Sequence, residues 1–325
     1  MPKTFKGPNS LVLACVKPGE FSTSSLKAAV SLCKRTGMRL RLVSAVEPAL
    51  MYLQFPAIEM YDFTAISRAE SNELKAQVED ELKQFAQSLE LDSKVETSVV
   101  VGQPAQVALS DAVANGVSLI VTGAANGSHR FVPKGLSTAL SLMADSHMPV
   151  LVVKENGALD FSKEALNIVV ADDLSANCER AVLAAFDLAI ALGDTDVHHI
   201  YSNSLTMQNF ARNVQKLREL HDDDSATDIS PTDLWEKTRI NLHERLRLRA
   251  PGRSLFLEAA GGHYWPEIRD GSVELALEKV IESASPELIV FGRHHSFHRR
   301  PFAIGRVPFH FMMSMDRPIL VVPPN

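Results

Sequence analysis

The chain has 325 residues, 46% hydrophobic and 22% charged, which is a length of about two domains and an ordinary globular composition. With 16 Gly and 17 Pro it is neither collagenous nor a low-complexity chain, and no apolar run approaches the ~18 residues of a membrane span. A net charge of −6 argues against bulk nucleic-acid or acidic-membrane binding.

Met1–Ser10 has no apolar core of a secretory signal, and the three cysteines, Cys15, Cys33 and Cys178, form no CxxC pair. The expectation is a reduced, cytoplasmic protein with no membrane association.

In chain order, Leu11–Val16 is a continuous apolar run, the pattern of a strand buried on both faces. Ser22–Thr36 predicts a helix, with Leu26, Ala29, Val30 and Cys33 on one face, caps among Ser22–Ser25 and a stop at Gly37. Leu40–Val46 predicts a strand, Ser67–Leu91 a long charged helix, and Val95–Val101 a strand. Ala105–Ala114 (helix), Leu119–Thr122 (strand), Ser137–Ser146 (helix) and Val150–Val153 (strand) follow.

The order then starts again. Leu166–Ala171, Val197–Tyr201, Leu288–Phe291 and Ile319–Val322 read as strands, and Ser175–Leu192, Pro231–Arg249 and Val273–Ser283 as helices. His221–Ser225 is an acidic break. The third strand of this half is Ser254–Ala259 or His263–Arg269. The second choice is favoured, with Pro266 tolerable on an edge strand.

Fixed offsets show that the halves are copies. Gly123 and Gly292 (292 − 123), Pro149 and Pro318 (318 − 149), and Gly102 and Gly271 (271 − 102) are each 169 residues apart. The first strands align at an offset of 157, Leu11 with Ile168, so copy two is 12 residues longer before its later anchors (169 − 157). The boundary is expected near Lys154–Ala165, a polar stretch with no apolar period, giving domains 1–156 and 157–325. Alternating strands and helices with short buried strands imply an α/β fold: a parallel sheet in each copy, helices on both faces and right-handed crossovers.

Ligands of such sheets bind beyond the carboxyl ends of strands, at the switch point between the first and fourth strands. In copy one the loop there runs from Gly123 to Thr138 and offers Gly123, Gly127 and Gly135 before Ser137. Glycines let backbone N–H groups approach phosphate, and a helix start favours anions; a flexible capped loop is the equal alternative.

In copy two Gly292–Arg306 includes Arg293, Arg299, Arg300 and Arg306 with His294, His295 and His298. This segment is read as a phosphate or acidic-partner site, or as a solvated basic loop or subunit contact. The histidines lack a fourth ligand for zinc, so no metal is assigned. His198 and His199 are neighbours on a strand and face opposite ways, a structural pair.

Asp173 ends the first strand of copy two, suited to accept from a base or ribose hydroxyl or to cap the next helix. No GxSxG, GxxxxGK[ST], HExxH or GxGxxG occurs, and no catalytic residue is named.

These residues resemble those of the universal stress protein family, in a tandem, E-type-like form covering about Asn9 to Val322. The family pattern is a first strand ending in Asp-x-Ser, a Gly-x-Pro, a strand ending in Gly, then Gly-x2-Gly-x9-Gly-Ser/Thr and a closing Pro-Val-Leu-Val-Val type strand. Gly102-Gln103-Pro104, Leu119–Gly123 and Pro149–Val153 match in copy one; Asp173-Leu174-Ser175, Leu288–Gly292 and Pro318–Val322 match in copy two.

Each copy departs from the nucleotide motif. Copy one has Asn126 for a glycine, reaches Gly135 one residue early, separates it from Ser137 by Leu136, and places Val16 at the Asp. Copy two keeps Gly292 and Gly305 at family spacing, but has His295 for glycine and Arg306 for Ser/Thr.

The resemblance implies two tandem five-stranded sheets of order 3-2-1-4-5, an adenine-nucleotide alpha-hydrolase-like fold. It implies closing strands that pair within the chain, and it leaves room for a homodimer. It also implies a non-enzymatic stress-response role with weak or absent ATP binding and an unnamed protein partner. ATP or ADP, as a switch or in slow hydrolysis, is the alternative cofactor reading, and an anion or acidic partner on the Arg/His loop is the other. The nucleotide residues would be Gly123, Gly127, Gly135, Ser137, Asp173, Gly292 and Gly305.

Overall fold

The computed structural model describes residues 5, 7–21, 23–47, 61–91, 95–124, 134–221, 230–293 and 304–324. The elements begin with β1 (Leu11–Val16), α1 (Ser24–Thr36), β2 (Arg39–Val46), α2 (Tyr61–Ser88) and β3 (Glu96–Val101). Then come α3 (Pro104–Ala114), β4 (Leu119–Ala124), α4 (Lys134–Asp145) and β5 (Val150–Lys154). Copy two supplies β6 (Leu166–Asp172), α5 (Ala176–Leu192), β7 (Thr195–Asn203), α6 (Met207–His221), α7 (Pro231–Arg247) and α8 (Arg253–Ala259). It ends with β8 (Tyr264–Asp270), α9 (Val273–Ala284), β9 (Leu288–Gly292), α10 (Arg306–Ser314) and β10 (Ile319–Val322).

The chain forms two compact units. One is Met1–Glu164 with Arg293–Pro323; the other is Ala165–Gly292 with Pro324–Asn325. In the first, β3-β2-β1-β4-β5 form a parallel sheet in the order 3-2-1-4-5, flanked by helices. The second has parallel strands in the order β8-β7-β6-β9.

Sequence dictates these elements locally. β4, β5, β9 and β10 are buried almost throughout, as strands covered on both faces must be. Thr23 accepts from the Leu26 N–H at 3.4 Å and caps α1, and Gly37 ends it in the left-handed region at φ 70°. Ser230 and Ser272 cap α7 and α9 in the same way, with Pro231 opening α7.

β10 belongs to the first unit, where it pairs antiparallel with β5: Ile319 with Val152, Leu320 with Leu151, Val321 with Val150. At the 169 offset Leu320 is the repeat counterpart of Leu151 (320 − 169), so the ladder is symmetric about that pair. The two closing strands thus cover one another's edges, as the resemblance implies.

Several expectations change. α4 begins at Lys134 rather than Ser137, which puts Gly135 and Ser137 in its first turn. Ser254–Ala259, the alternative third strand, is part of α8, and β8 takes the other choice. α6 and α10 are helices where the pattern was silent. The acidic break at 222–225 lies outside the described residues.

The stretch 155–164 is also more than a polar linker. Leu159 and Phe161 are buried, and Arg35 holds the carbonyls of Phe161, Lys163 and Glu164.

Candidate functional site

β6 differs from every other strand of its sheet in ending on a carboxylate that points inward. The Asp172 side chain has no exposed surface. It accepts from His199 Nε2 at 3.1 Å, from Arg249 Nε at 3.0 Å and Nη2 at 3.3 Å, and from the Leu174 N–H at 2.8 Å. Arg249 also donates to the carbonyl of Ser175.

The register explains the convergence. Val170 lies opposite His199 and Val197 opposite Tyr264. Asp172, His199 and Tyr264 therefore step back by two residues from strand to strand and share one face. His199 Nδ1 is 3.0 Å from the Tyr264 hydroxyl. His198 faces the other way, toward Glu267 and the Trp265 ring.

Burial pushes the His199 pKa down and outweighs the attraction of Asp172, so the ring is neutral. Its Nε2–H then donates to Asp172, and Nδ1 accepts from Tyr264. Burial opposes ionisation of Asp172, but His199 and Arg249 together outweigh it and hold the carboxyl below its usual range.

The same register corrects the alignment of the copies. Val12 pairs with Leu119 and Ile168 with Leu288, and Leu119 and Leu288 are 169 apart, so Val12 matches Ile168. The first-strand offset is 156 (168 − 12), not 157, and the surplus is 13 (169 − 156). Val16, Leu42 and Val95 are then the counterparts of Asp172, His199 and Tyr264. The fold is built in copy one with apolar side chains at all three places.

The expected site residues separate as follows. Asp173 is exposed, and its Oδ1 accepts from the Ser175 N–H at 2.9 Å in a capping turn. The Ser175 hydroxyl is buried at the start of α5 with no hydrogen-bond partner among the described residues. Gly292 lies against the first turn of α5: a Cβ there would come within 2.9 Å of Cys178 Sγ and 3.0 Å of its Cα. Asp173 and Gly292 thus meet around Cys178.

In copy one Gly123 packs on α1, where a Cβ would sit 3.2 Å from Ser25 Oγ. Gly127 lies outside the described residues. Gly305 is in the first unit, at φ 93°, and caps α10.

Two sequence readings need revision. Arg293 is not presented to a partner: it is 7% exposed, and its Nη1 donates to the carbonyls of Met143, Ala144 and Ser146 at 2.9, 2.6 and 2.9 Å. It closes the carboxyl end of α4, where orphan carbonyls favour a cation. Arg306 is exposed on the first turn of α10, and 294–303 lie outside the described residues.

Asp172, Asp173 and Cys178 bring ligand atoms within 4.8 Å of one another. Burial, and then Asp173, push the Cys178 thiol up to about 12, and Arg249 already occupies Asp172.

The sequence matches the universal stress protein family over residues 10–154 and 165–323. The chain belongs to the universal stress protein family. Two family domains stand in tandem. Solved structures share the fold across nearly the whole chain. A universal stress protein from Archaeoglobus fulgidus DSM 4304 is 15% identical with a TM-score of 0.63, covering 99% of this chain and 98% of that one. A putative universal stress protein from Pseudomonas aeruginosa UCBPP-PA14 is 15% identical with a TM-score of 0.55, covering 97% and 93%. A functionally unknown protein from Pseudomonas aeruginosa PAO1 is 16% identical with a TM-score of 0.55, covering 97% and 92%. No curated protein matches the chain at a significant level.

In universal stress protein terms, the corrected register sets Lys17, not Val16, against Asp173 (173 − 156). Lys17 pairs with Glu20, so the strand-end turn of copy one carries a cation where the family pattern has its Asp.

The buried Asp172–His199–Tyr264 set was missed in the sequence. Its signal was the carboxylate closing the apolar run Ile168–Ala171 at the end of the strand.

Proposed function

We propose that this universal stress protein is a non-enzymatic, cytoplasmic stress-response regulator that acts through a protein partner and binds ATP or ADP weakly or not at all. The observation that carries this reading is the use of the two strand-end glycines. Gly123 and Gly292 are each pressed against the first turn of the helix that follows the neighbouring first strand of their copy, α1 at Ser25 and α5 at Cys178. Their missing side chains serve packing, so their retention needs no phosphate. Asn126, His295 and Arg306 stand where the family pattern has glycine, glycine and Ser/Thr.

Residue chemistry ranks the copies. Copy two has Asp173 and the Ser175 hydroxyl, which has no hydrogen-bond partner among the described residues, at one helix start, and both suit a hydroxyl-bearing ligand such as a ribose. Copy one has Lys17 there. Residual nucleotide binding therefore belongs to copy two, at Asp173, Ser175 and Gly292, rather than to Gly123, Gly127, Gly135 and Ser137.

Isothermal titration with Mg-ATP and with ADP tests this. The expected result is no saturable binding, or binding weaker than about 1 μM confined to one site and lost in Asp173→Ala. Submicromolar binding at two sites, or turnover of ATP, would establish the nucleotide-switch alternative instead.

A further inference from the structure

Asp172 carries one negative charge and faces two groups that can balance it. Arg249 holds the carboxylate through Nε at 3.0 Å and Nη2 at 3.3 Å, and His199 Nε2 lies 3.1 Å away. The Asp172 and His199 side chains have no exposed surface, and that of Arg249 is 15% exposed. With His199 neutral, the charges of the three groups cancel. With His199 protonated, one positive charge is left over in a site shut from water, which is strongly unfavourable.

The geometry decides which cation gives way. His199 is fixed in the middle of β7. Arg249 reaches in on a long stem from 248–252, the connection between α7 and α8, where Pro251 and Gly252 are exposed and Gly252 takes the left-handed region at φ 73°. When Arg249 leaves, a neutral Asp172–His199 pair remains. Its departure also frees the Ser175 carbonyl at the start of α5. Arg253 stays forked on Asp187 of α5, at 2.9 and 3.4 Å, so α8 keeps its seat and the movement is confined to the connection.

Tyr264 is placed to follow the change. Its hydroxyl lies 3.0 Å from His199 Nδ1 and 3.4 Å from the Leu246 carbonyl, which also accepts from the Arg249 backbone N–H at 3.2 Å. Burial raises the Tyr264 pKa, so the phenol keeps its proton. While Nδ1 is bare, the hydroxyl donates to it. Once Nδ1 takes a proton from water, the hydroxyl accepts there and turns its own proton to Leu246. The remaining titratable neighbours hold their charge through this step. Arg247 acts on Tyr264 from α7, Cys178 of α5 lies near Asp172 as a neutral thiol, Asp173 is exposed, and His198 faces Glu267 on the other side of the sheet.

We propose that Asp172 is the pivot of an acid-sensitive switch: near neutral pH its carboxylate balances Arg249, and in acid it balances a protonated His199, which releases Arg249 and the 248–252 connection from the start of α5. Copy one, with Val16, Leu42 and Val95 at these places, has no such switch.

Nuclear magnetic resonance of the full ¹⁵N-labelled chain from about pH 8 to about pH 4 tests this, with circular dichroism to follow the global fold. The His199 ring should titrate below about pH 6.5, and exchange of the Arg249 Nε–H with water should quicken at least about tenfold over the same interval. His199→Gln, which can still donate to Asp172 and accept from Tyr264, should keep the Arg249 signal slow throughout that interval. Arg249→Gln should raise the His199 midpoint by about one pH unit, because a competing cation is gone, and Arg249→Lys should raise it less. An Arg249 signal indifferent to the titration of His199, a His199→Gln chain that still releases Arg249, or a His199 midpoint equal in all Arg249 variants would each overturn the proposal. So would global unfolding before His199 gains its proton.

Discussion

At the scale of single residues, a glycine retained in a nucleotide-type position can serve packing alone, and the two copies grade that role. At Gly292 a Cβ would meet the backbone Cα of Cys178 at 3.0 Å as well as its sulfur, whereas at Gly123 it would meet the Ser25 hydroxyl, which can rotate. Gly292→Ala should therefore cost about 1–3 kcal/mol and Gly123→Ala less, read from urea midpoints. Equal costs would show that the strand–helix approach is not what selects glycine. Arg293 makes a parallel point. Its three bonds to the last carbonyls of α4 are charge-assisted and shielded from water. Arg293→Ala should cost about 3 kcal/mol, and Arg293→Lys should recover part of it, because an ammonium can still face those carbonyls. A basic run in sequence, from Arg293 to Arg306, could not reveal that its first member turns inward; that depends on where α4 ends.

At the scale of elements, the buried set on β6, β7 and β8 governs the response to acid. Asp172 and His199 both have folded-state pKa values below their unfolded ones. Each therefore contributes stability that is present above the unfolded value and is lost as pH falls toward the folded one. The loss begins near pH 6.5 for His199 and continues below about 4 for Asp172. Replacing both with the copy-one residues, Asp172→Val and His199→Leu, together with Tyr264→Phe and Arg249→Leu, should flatten the acid limb and leave neutral stability within about 1–2 kcal/mol. Asp172→Val alone should cost about 3 kcal/mol, because Arg249, largely shielded from water, then loses its carboxylate partner. Melting followed from pH 8 to pH 3 separates these outcomes.

This set also marks how far the sequence can be read. The strands were legible because they are short apolar runs, and the third strand of copy two followed from Gly271. The alignment of β1 with β6 was not legible to one residue. Both strands are buried on two faces, so sliding one by a single position leaves the apolar pattern unchanged. Only the pairing of Val12 with Leu119 and of Ile168 with Leu288 resolves it. With the wrong offset Asp172 falls opposite Cys15, and the replacement of three apolar residues by Asp, His and Tyr stays hidden. α6 and α10 escaped for a different reason. α6 is a largely exposed helix and α10 is short, so neither shows a long enough stripe of buried side chains.

At the scale of the molecule, duplication settles the fate of an apolar edge. β5 is buried on every residue, and its open side is covered by β10 in a ladder centred on Leu151 and Leu320. Because those two residues are repeat counterparts, two β5 strands from separate chains can form the same antiparallel ladder. A chain ending at Glu164 keeps β1 to β5 but loses β10, which leaves the edge of Val150–Lys154 unpaired. It should associate through that edge, while Leu151→Lys in the same fragment should keep it monomeric by placing a charge at the centre of the ladder. Light scattering on the two fragments distinguishes this from general exposure of core. If the Lys variant associates as strongly as the parent fragment, the exposed edge is not the cause, and coverage of β5 by β10 is then not what keeps the intact chain from pairing through this strand.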